Sequence, residues 1–311
     1  CFKILLEIRH LLQMDSMKQL IEFCKTIPPG KLRYTNLIGK ANDKVDELFR
    51  LIQQEKITNK GQALEHMFPD GKYPAQAFWN LEQKLYDRLT NTIISLHDTE
   101  ESEILSEFRT LQKKLYAYKL LRAKGRRHAA VVLGEKAIKK SIHYEFTEIT
   151  LSLARELAMH YASIDPDKKK FQYFNDLATQ NGTLLMKEME VEQCFNEVVF
   201  QFASQKFYDE DLIELAKKRV GEVNAILVEH QSFWTILLGY NTIVYYHNLI
   251  KDNEGLLEAC QKAIALMEAK AYNPPYTAVF TFVLNTLPIY ILNGQYSAAQ
   301  QPIKKCLALV P

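Results

Sequence analysis

Glycine and proline are scarce in this sequence of 311 residues, which contains 11 glycines and 10 prolines. Average usage would give roughly 22 and 16 in a chain of this length. Sandwiches and other turn-rich β architectures depend on these two residues, so their scarcity disfavours an all-β fold. The composition therefore predicts an all-α protein.

The sequence also lacks an excess of either charge and a long apolar run. Basic residues number 39 and acidic residues 37, so no overall field draws the molecule to nucleic acid or an anionic membrane. The most apolar stretches, 233–250 and 277–292, contain polar residues or proline and fall short of the roughly 20 apolar residues that span a bilayer. We predict no membrane span.

The sequence contains few cysteines, and their spacing shows no paired motif. The five cysteines lie far apart, form no CxxC pair, and are odd in number: Cys1, Cys24, Cys194, Cys260 and Cys306. A fully paired disulfide framework is therefore disfavoured. We expect reduced, buried thiols in a cytoplasmic protein.

Sequence signatures of catalysis are missing as well. The eight histidines form no HExxH motif, and neither a GxSxG motif nor a glycine-rich phosphate loop is present. Glu188, Glu190 and Glu192 are close together, but we interpret them as the solvated start of a helix rather than an acid-base pair. We therefore predict no catalytic residue, no metal site and no cofactor.

A pattern of small residues recurs in the C-terminal two thirds. Gly294 can turn the chain between two helices, Ala299 and Cys306 are small enough for those helices to approach closely, and Pro311 stops the second helix. The same order recurs at Gly125, Ala130, Gly134 and Ala137. This pattern resembles that of the tetratricopeptide (TPR) repeat family, so the expected fold is a TPR-like α-solenoid of antiparallel helix hairpins.

The spacing of matching alanines gives the number of repeats. Ala137 and Ala263 fit a repeat of about 42 residues, with intermediate units between them. We predict about five helix pairs, at 105–142, 145–180, 185–227, 231–272 and 276–310. The TPR-like domain then covers 101–311, and an N-terminal helical domain covers 1–100.

The N-terminal domain shows no such period. Helices are predicted at 2–24, 32–55, 60–68 and 74–96. A short helix, a turn and a longer helix also fit a helix-turn-helix that binds DNA. The exposed face of its last helix would carry Gln76, Asn80, Gln83, Lys84, Arg88 and Asn91. Because basic and acidic residues are nearly balanced here, we favour a helical cap on the solenoid.

Residues 113–140 are strongly basic, and Glu135 is their one acidic residue. A solvated outer face is the simpler interpretation, and a docking surface for an acidic peptide, nucleic acid or anionic lipid is the functional one. The TPR resemblance implies that the first helix of each pair lines a concave groove, which places Gln112, Lys119 and Arg122 toward it. Arg126 and Arg127 continue the basic surface.

Aromatic residues cluster on the first helices of the last two units. Tyr245 and Tyr246 are the members of this cluster that we assign to partner binding, while most of the others are expected in the core. The function predicted from the sequence is a non-enzymatic scaffold that binds a protein or peptide partner in the solenoid groove. The alternative is a transcriptional regulator with an N-terminal DNA-binding segment.

The last predicted helix has an apolar side. Ile303 and Leu307 lie at helical spacing, and the charges are confined to Lys304 and Lys305. A repeat array normally ends in a helix with a polar outer face. We therefore predict that this end is covered, either by a second copy of the chain in a homodimer through the C-terminal helix pair or by further sequence.

Overall fold

The computed structural model describes residues 17–27, 44–69, 75–95, 102–204 and 210–309. The chain divides into two compact units, 1–99 and 100–311. Every regular element in the described ranges is a helix. This agrees with the all-α fold that the composition predicts.

The described residues of the N-terminal unit form four helices around one apolar core. They are α1 (residues 17–25), α2 (Lys44–Gln53), α3 (Lys60–Met67) and α4 (Ala75–Ser95). Helix α2 buries Val45, Leu48, Phe49 and Ile52, which are three or four residues apart and therefore lie on one face. Parts of the first two predicted helices lie outside the described residues, in 1–16 and 28–43.

The C-terminal unit is a series of helices in which each packs on its neighbour in sequence. The helices are α5 (Glu103–Ala123), α6 (Arg127–His143), α7 (Thr147–Ser163), α8 (Lys168–Ser204), α9 (Glu210–Glu229), α10 (Phe233–Leu249), α11 (Asn253–Glu268), α12 (Tyr276–Leu292) and α13 (Tyr296–Leu309). In addition, α5 packs on α7 and α8 packs on α10.

The tight turns between helices share one backbone conformation. Gly125 and Gly294 have φ values of 72° and 67°, as expected for the residues that turn the chain within a hairpin. Glu145 and Lys251 occupy the same left-handed region, with φ values of 54° and 57°. Side chains at these two positions cost about 1–2 kcal/mol relative to a relaxed backbone.

Small residues lie where the helices approach most closely. Ala130, Ala137 and Ala263 are fully buried, and Ala299 is 3% exposed. A Cβ atom at Gly134 would lie 2.8 Å from the Tyr118 ring. The side chain of Cys306, predicted at a similar crossing, lies outside the described residues.

The middle of the unit differs from the predicted repeat pattern. Helix α8 contains 37 residues and continues through 180–185, where the sequence analysis places the boundary between two helix pairs. Gly182 lies inside this helix, and a Cβ atom there would contact only Leu151, at 3.9 Å. Because this glycine adopts no left-handed turn, the helix continues. Three helices therefore occupy 147–229 instead of the four predicted.

Cys24, Cys194 and Cys260 are unpaired and buried. Burial raises the pKa of Cys24 and Cys260 to about 12 and that of Cys194 to about 11, so these thiols stay protonated and unreactive near neutral pH. Within the ranges that the structure describes, no helix combines the length and apolarity needed to cross a membrane.

Candidate functional site

The turn after α6 joins segments that are far apart in the sequence. The carboxylate of Glu145 accepts hydrogen bonds from the Lys270 ammonium at 2.8 and 2.9 Å. It also accepts one from the Phe233 backbone N–H at 2.9 Å and one from the Tyr272 hydroxyl at 3.3 Å. Lys270 donates in turn to the Gln231 carbonyl oxygen at 2.6 Å. We call Glu145, Lys270 and Tyr272 the clasp.

Burial strengthens the clasp. The Lys270 side chain is 12% exposed and that of Glu145 is 30% exposed, so water screens their attraction only in part. Burial is the main cause of the raised pKa of Tyr272, and the charge of Glu145 adds to it. The clasp therefore holds the start of α10 and the loop before α12 against the turn between α6 and α7.

A second buried carboxylate lies beside the clasp. Glu188 in α8 is 7% exposed and accepts a hydrogen bond of 2.9 Å from the Thr147 hydroxyl at the start of α7. The Ser232 hydroxyl also binds it, and Ser232 caps α10. Burial raises the pKa of Glu188, although these two hydrogen bonds oppose the shift. Glu188 thus links the first turns of α7 and α10 to the middle of α8.

Four helices enclose a cavity of about 390 Å³ next to Glu188. Its lining comes from α5, α7, α8, α10 and the turn before α7: Phe108, Phe146, Thr147, Glu148, Ile149, Leu185, Glu188, Met189, Glu192, Phe195, Asn196, Trp234 and Leu238. We call these residues the groove. Its volume falls in the range of roughly 300–1,000 Å³ that is usual for ligand pockets.

Large apolar side chains form the open edge of the groove. Trp234 is 48% exposed, Met189 60% and Phe108 40%. On the same outer side of α8, Met186 and Phe200 are 63% and 72% exposed. Exposed aromatic and methionine side chains around a concave site are typical of surfaces that bind proteins or peptides.

The groove is acidic. Glu148, Glu188 and Glu192 line it, and none of its lining residues is Lys, Arg or His. Neighbouring carboxylates on α8 are already paired, since Glu190 binds Lys187 at 2.7 Å and Glu197 binds Arg219. Glu148 and Glu192 are exposed and form no ion pair within the described part of the chain.

The residues predicted to face a partner on α5 lie beyond this groove. Gln112 is half-buried one turn after Phe108, and Lys119 is exposed two turns further along the same face. Arg122 forms an ion pair with Glu156 of α7, so its charge is neutralised within the protein. Arg126 and Arg127 are exposed at the turn that leads into α6.

The predicted tyrosines occupy another part of α10. Tyr245 is half-buried against the rings of Phe195 and Phe202, with ring centroids 6.1 and 5.5 Å apart. Tyr246 is half-buried beside His247. Neither tyrosine lines the groove, although Phe195, which contacts Tyr245, does.

The basic stretch 113–140 is partly neutralised by other helices. Lys140 pairs with Glu107 at 2.6 Å, and Glu107 belongs to the acidic stretch before it. Glu135, the acidic residue inside the stretch, binds Lys170 at 2.9 Å and accepts a hydrogen bond from Tyr161. These contacts fit the solvated outer face better than a uniform docking surface.

The helix considered for DNA binding is α4. Its Arg88 forms an ion pair of 3.1 Å with Asp46 of α2, and its Gln76 donates a hydrogen bond to Asn80. Both ion-pair partners are less than a third exposed. Arg88 therefore supports the packing of α2 on α4.

Sequence reasoning missed the groove because it placed the carboxylates of α8 wrongly. Glu188 was expected at a solvated helix start, but it is buried in the middle of α8. The spacing of Leu185, Glu188, Glu192 and Phe195 is that of one helix face, and this signal was available in the sequence. Its connection to Phe108 and Trp234 was not available, since they lie on other helices.

No family model, curated protein or solved structure matches this chain. Among the described residues, no group of three or more His, Cys, Asp or Glu side chains is placed to hold a metal ion.

Proposed function

We propose that this chain is a non-enzymatic protein-interaction module that binds a peptide segment of a partner in the groove. One observation carries the proposal: an apolar, acidic cavity of about 390 Å³ opens between α5, α7, α8 and α10. Its open edge carries Phe108, Met189 and Trp234, all at least 40% exposed before any partner is bound. Covering such an edge is favourable by about 25 cal/mol per Å² of apolar surface.

The proposal includes the architecture expected from the sequence. We propose that 101–311 forms a TPR-like solenoid of helix hairpins and that α5, α7, α8 and α10 supply its concave side. The packing of α5 on α7 and of α8 on α10 supports this arrangement, as do the left-handed turn residues at 125, 145, 251 and 294. Reduced, buried cysteines support action in the cytoplasm.

A displayed library of random peptides, panned against the whole protein, tests the proposal. Selected peptides should bind at the groove, and Met189→Gln should weaken them about fivefold because it removes about 1 kcal/mol of apolar contact. Met159→Gln on α7 is the matched control, since Met159 is 50% exposed and lies outside the groove. Fluorescence anisotropy of a labelled peptide measures both affinities.

The comparison of the two methionine variants decides the outcome. Equal affinity of the selected peptides for Met189→Gln and for the unchanged protein would place their site elsewhere. Equal weakening by both variants would show a general effect on folding or surface polarity. Either result would contradict peptide binding in the groove.

We further propose that the C-terminal helix pair associates with a second copy of the chain. Leu292, Tyr296 and Leu307 of α12 and α13 are 76%, 68% and 70% exposed, which leaves apolar surface uncovered at this end. Light scattering should show a dimer, and Leu307→Glu should convert it to a monomer with unchanged helical content. Val228→Glu, at a position 80% exposed on α9, should leave the dimer intact. A monomer at high concentration in the unchanged protein would refute the dimer.

A further inference from the structure

We infer that the occupant of the groove is an amphipathic helix with apolar anchor residues and flanking lysines or arginines. This inference rests on the proposed function and adds the chemical class of the partner. It also differs from the acidic peptide that the sequence analysis names among the alternative ligands of residues 113–140, because those basic side chains lie outside the groove lining. Its three supports are the charge of the groove, the shortage of backbone partners within it, and the size of its cavity.

Two exposed carboxylates give the groove a negative charge. Glu148 on α7 and Glu192 on α8 have no cation partner in the described residues, and no basic side chain lines the cavity. Close to them, Glu188 adds a third carboxylate. The whole chain has a formal net charge of +2, so this concentration of acid is local. A partner with Lys or Arg beside its apolar contact would complement it.

The exposed carboxylates differ from others on the same helix. Lys187 neutralises Glu190, and Arg219 neutralises Glu197. Glu192, on the side of α8 that faces the cavity, has no ion-pair partner in the described residues, and neither has Glu148 on α7. An apolar partner without positive charge would have to bury or crowd these groups without compensation, which is costly.

The hydrogen-bonding needs of the occupant's backbone favour a helix. An extended peptide must find hydrogen-bond partners for its N–H and C=O groups once water is excluded. The groove offers few donors for the C=O groups, because the Thr147 hydroxyl already donates to Glu188 and only the Asn196 amide and the Trp234 indole N–H supply other side-chain donors in the lining. A helix satisfies its own backbone groups and presents only side chains, so it fits an apolar groove better.

The third support is the match between cavity and anchors. A cavity of about 390 Å³ receives only a few large side chains, such as those that project from one helix face at positions i, i+3 or i+4, and i+7. Trp234 and Phe108 provide rigid apolar walls, while Met189 has a flexible side chain that adapts to different anchors. The geometry therefore points to a helix that inserts its apolar face and places basic residues at the edge.

The test uses the intrinsic fluorescence of Trp234. The 311-residue chain contains two tryptophans, so Trp79→Phe leaves Trp234 as its sole fluorescent tryptophan. Three synthetic peptides of about 18 residues are titrated. The first has leucines on one helix face and lysines beside them, the second has glutamate in place of every lysine, and the third is the first with a central proline.

We expect the basic helix to shift the Trp234 emission and to bind at least about tenfold more tightly than each of the other two peptides. Glu192→Lys should weaken the basic helix by about tenfold, because it reverses a charge at the edge of the groove. Glu214→Lys, at an exposed position on α9 outside the groove, is the matched control and should change affinity less than about twofold.

The outcomes separate the inference from the proposed function. Equal or tighter binding of the glutamate peptide would overturn the basic character of the partner, and equal binding of the proline peptide would overturn its helical form. If library peptides bind at the groove but the basic helix does not, the inference is wrong and the proposed function stands. If neither binds there, both are wrong.

Discussion

Replacing Glu145 with alanine is expected to lower the free energy of unfolding of the C-terminal unit by about 2–3 kcal/mol. The change removes the acceptor for Lys270, the Phe233 N–H and the Tyr272 hydroxyl. Lys270, only 12% exposed, is then left with a charge that water reaches poorly. Since Glu145 itself is 30% exposed, the loss should stay below that of a fully buried pair.

Urea unfolding of the Trp79→Phe protein, followed by Trp234 fluorescence, measures this loss in the unit that contains the clasp. Lys251→Ala is the matched control, because Lys251 has the same left-handed backbone and an exposed side chain. It should change stability by less than about 0.5 kcal/mol. Glu145→Gly should lower the free energy of unfolding by about 0.5 kcal/mol less than Glu145→Ala does, because glycine relieves the backbone strain.

A double-mutant cycle assigns the effect to the ion pair. Lys270→Ala and Glu145→Ala together should lower the free energy of unfolding by less than the sum of the two single losses. The difference should be about 1 kcal/mol or more. Additive losses would show that the two side chains do not interact energetically. A loss below about 0.5 kcal/mol for Glu145→Ala would mean that the clasp does not stabilise the unit.

Replacing Trp234 with alanine is expected to weaken binding of groove peptides by about 30-fold, equivalent to about 2 kcal/mol. Trp234 lies at the open edge of the cavity and is 48% exposed in the free protein, so a partner can still bury much of its ring. Tryptophan is one of the residue types that most often contribute 2 kcal/mol or more to the free energy of binding at an interface. This loss should exceed that of any other single change in the groove edge.

Trp79→Ala is the matched control, because Trp79 is also 48% exposed and belongs to the N-terminal unit. Anisotropy of a labelled peptide gives both affinities, and circular dichroism checks that both variants remain helical. Trp234 contacts Phe233 with ring centroids 5.4 Å apart, so a small loss of stability is expected as well. Unchanged affinity in Trp234→Ala would remove this residue, and with it the groove, from the binding site.

Several parts of the fold followed from local sequence patterns. The all-α fold, the glycine turns between helices at Gly125 and Gly294, and the burial of Ala137 and Ala263 were predicted and are confirmed in the described residues. Each depends on neighbours within one or two helical turns. A left-handed turn needs a glycine or an energetic compensation, and a close helix crossing needs a small side chain.

The long helix α8 shows where the local pattern failed. A repeat of about 42 residues predicted a break near 180–185, but Gly182 by itself does not stop a helix that packs on α7, α9 and α10. Glutamates that the prediction placed at a solvated end were consequently found in the middle of the helix, with Glu188 buried beside the cavity. The error in one boundary thus hid the candidate site.

The sequence by itself determined the helical class, the position of most helices and the turn residues, because these depend on backbone conformation and on the spacing of apolar side chains. Only the tertiary structure decided that Glu145 meets Lys270 and that Phe108, Glu192 and Trp234 surround one cavity. Such contacts depend on the angle and offset accumulated over several packed helices. No local pattern encodes that accumulated geometry, because every packed helix contributes to it. In addition, α8 is longer than the sequence pattern predicts.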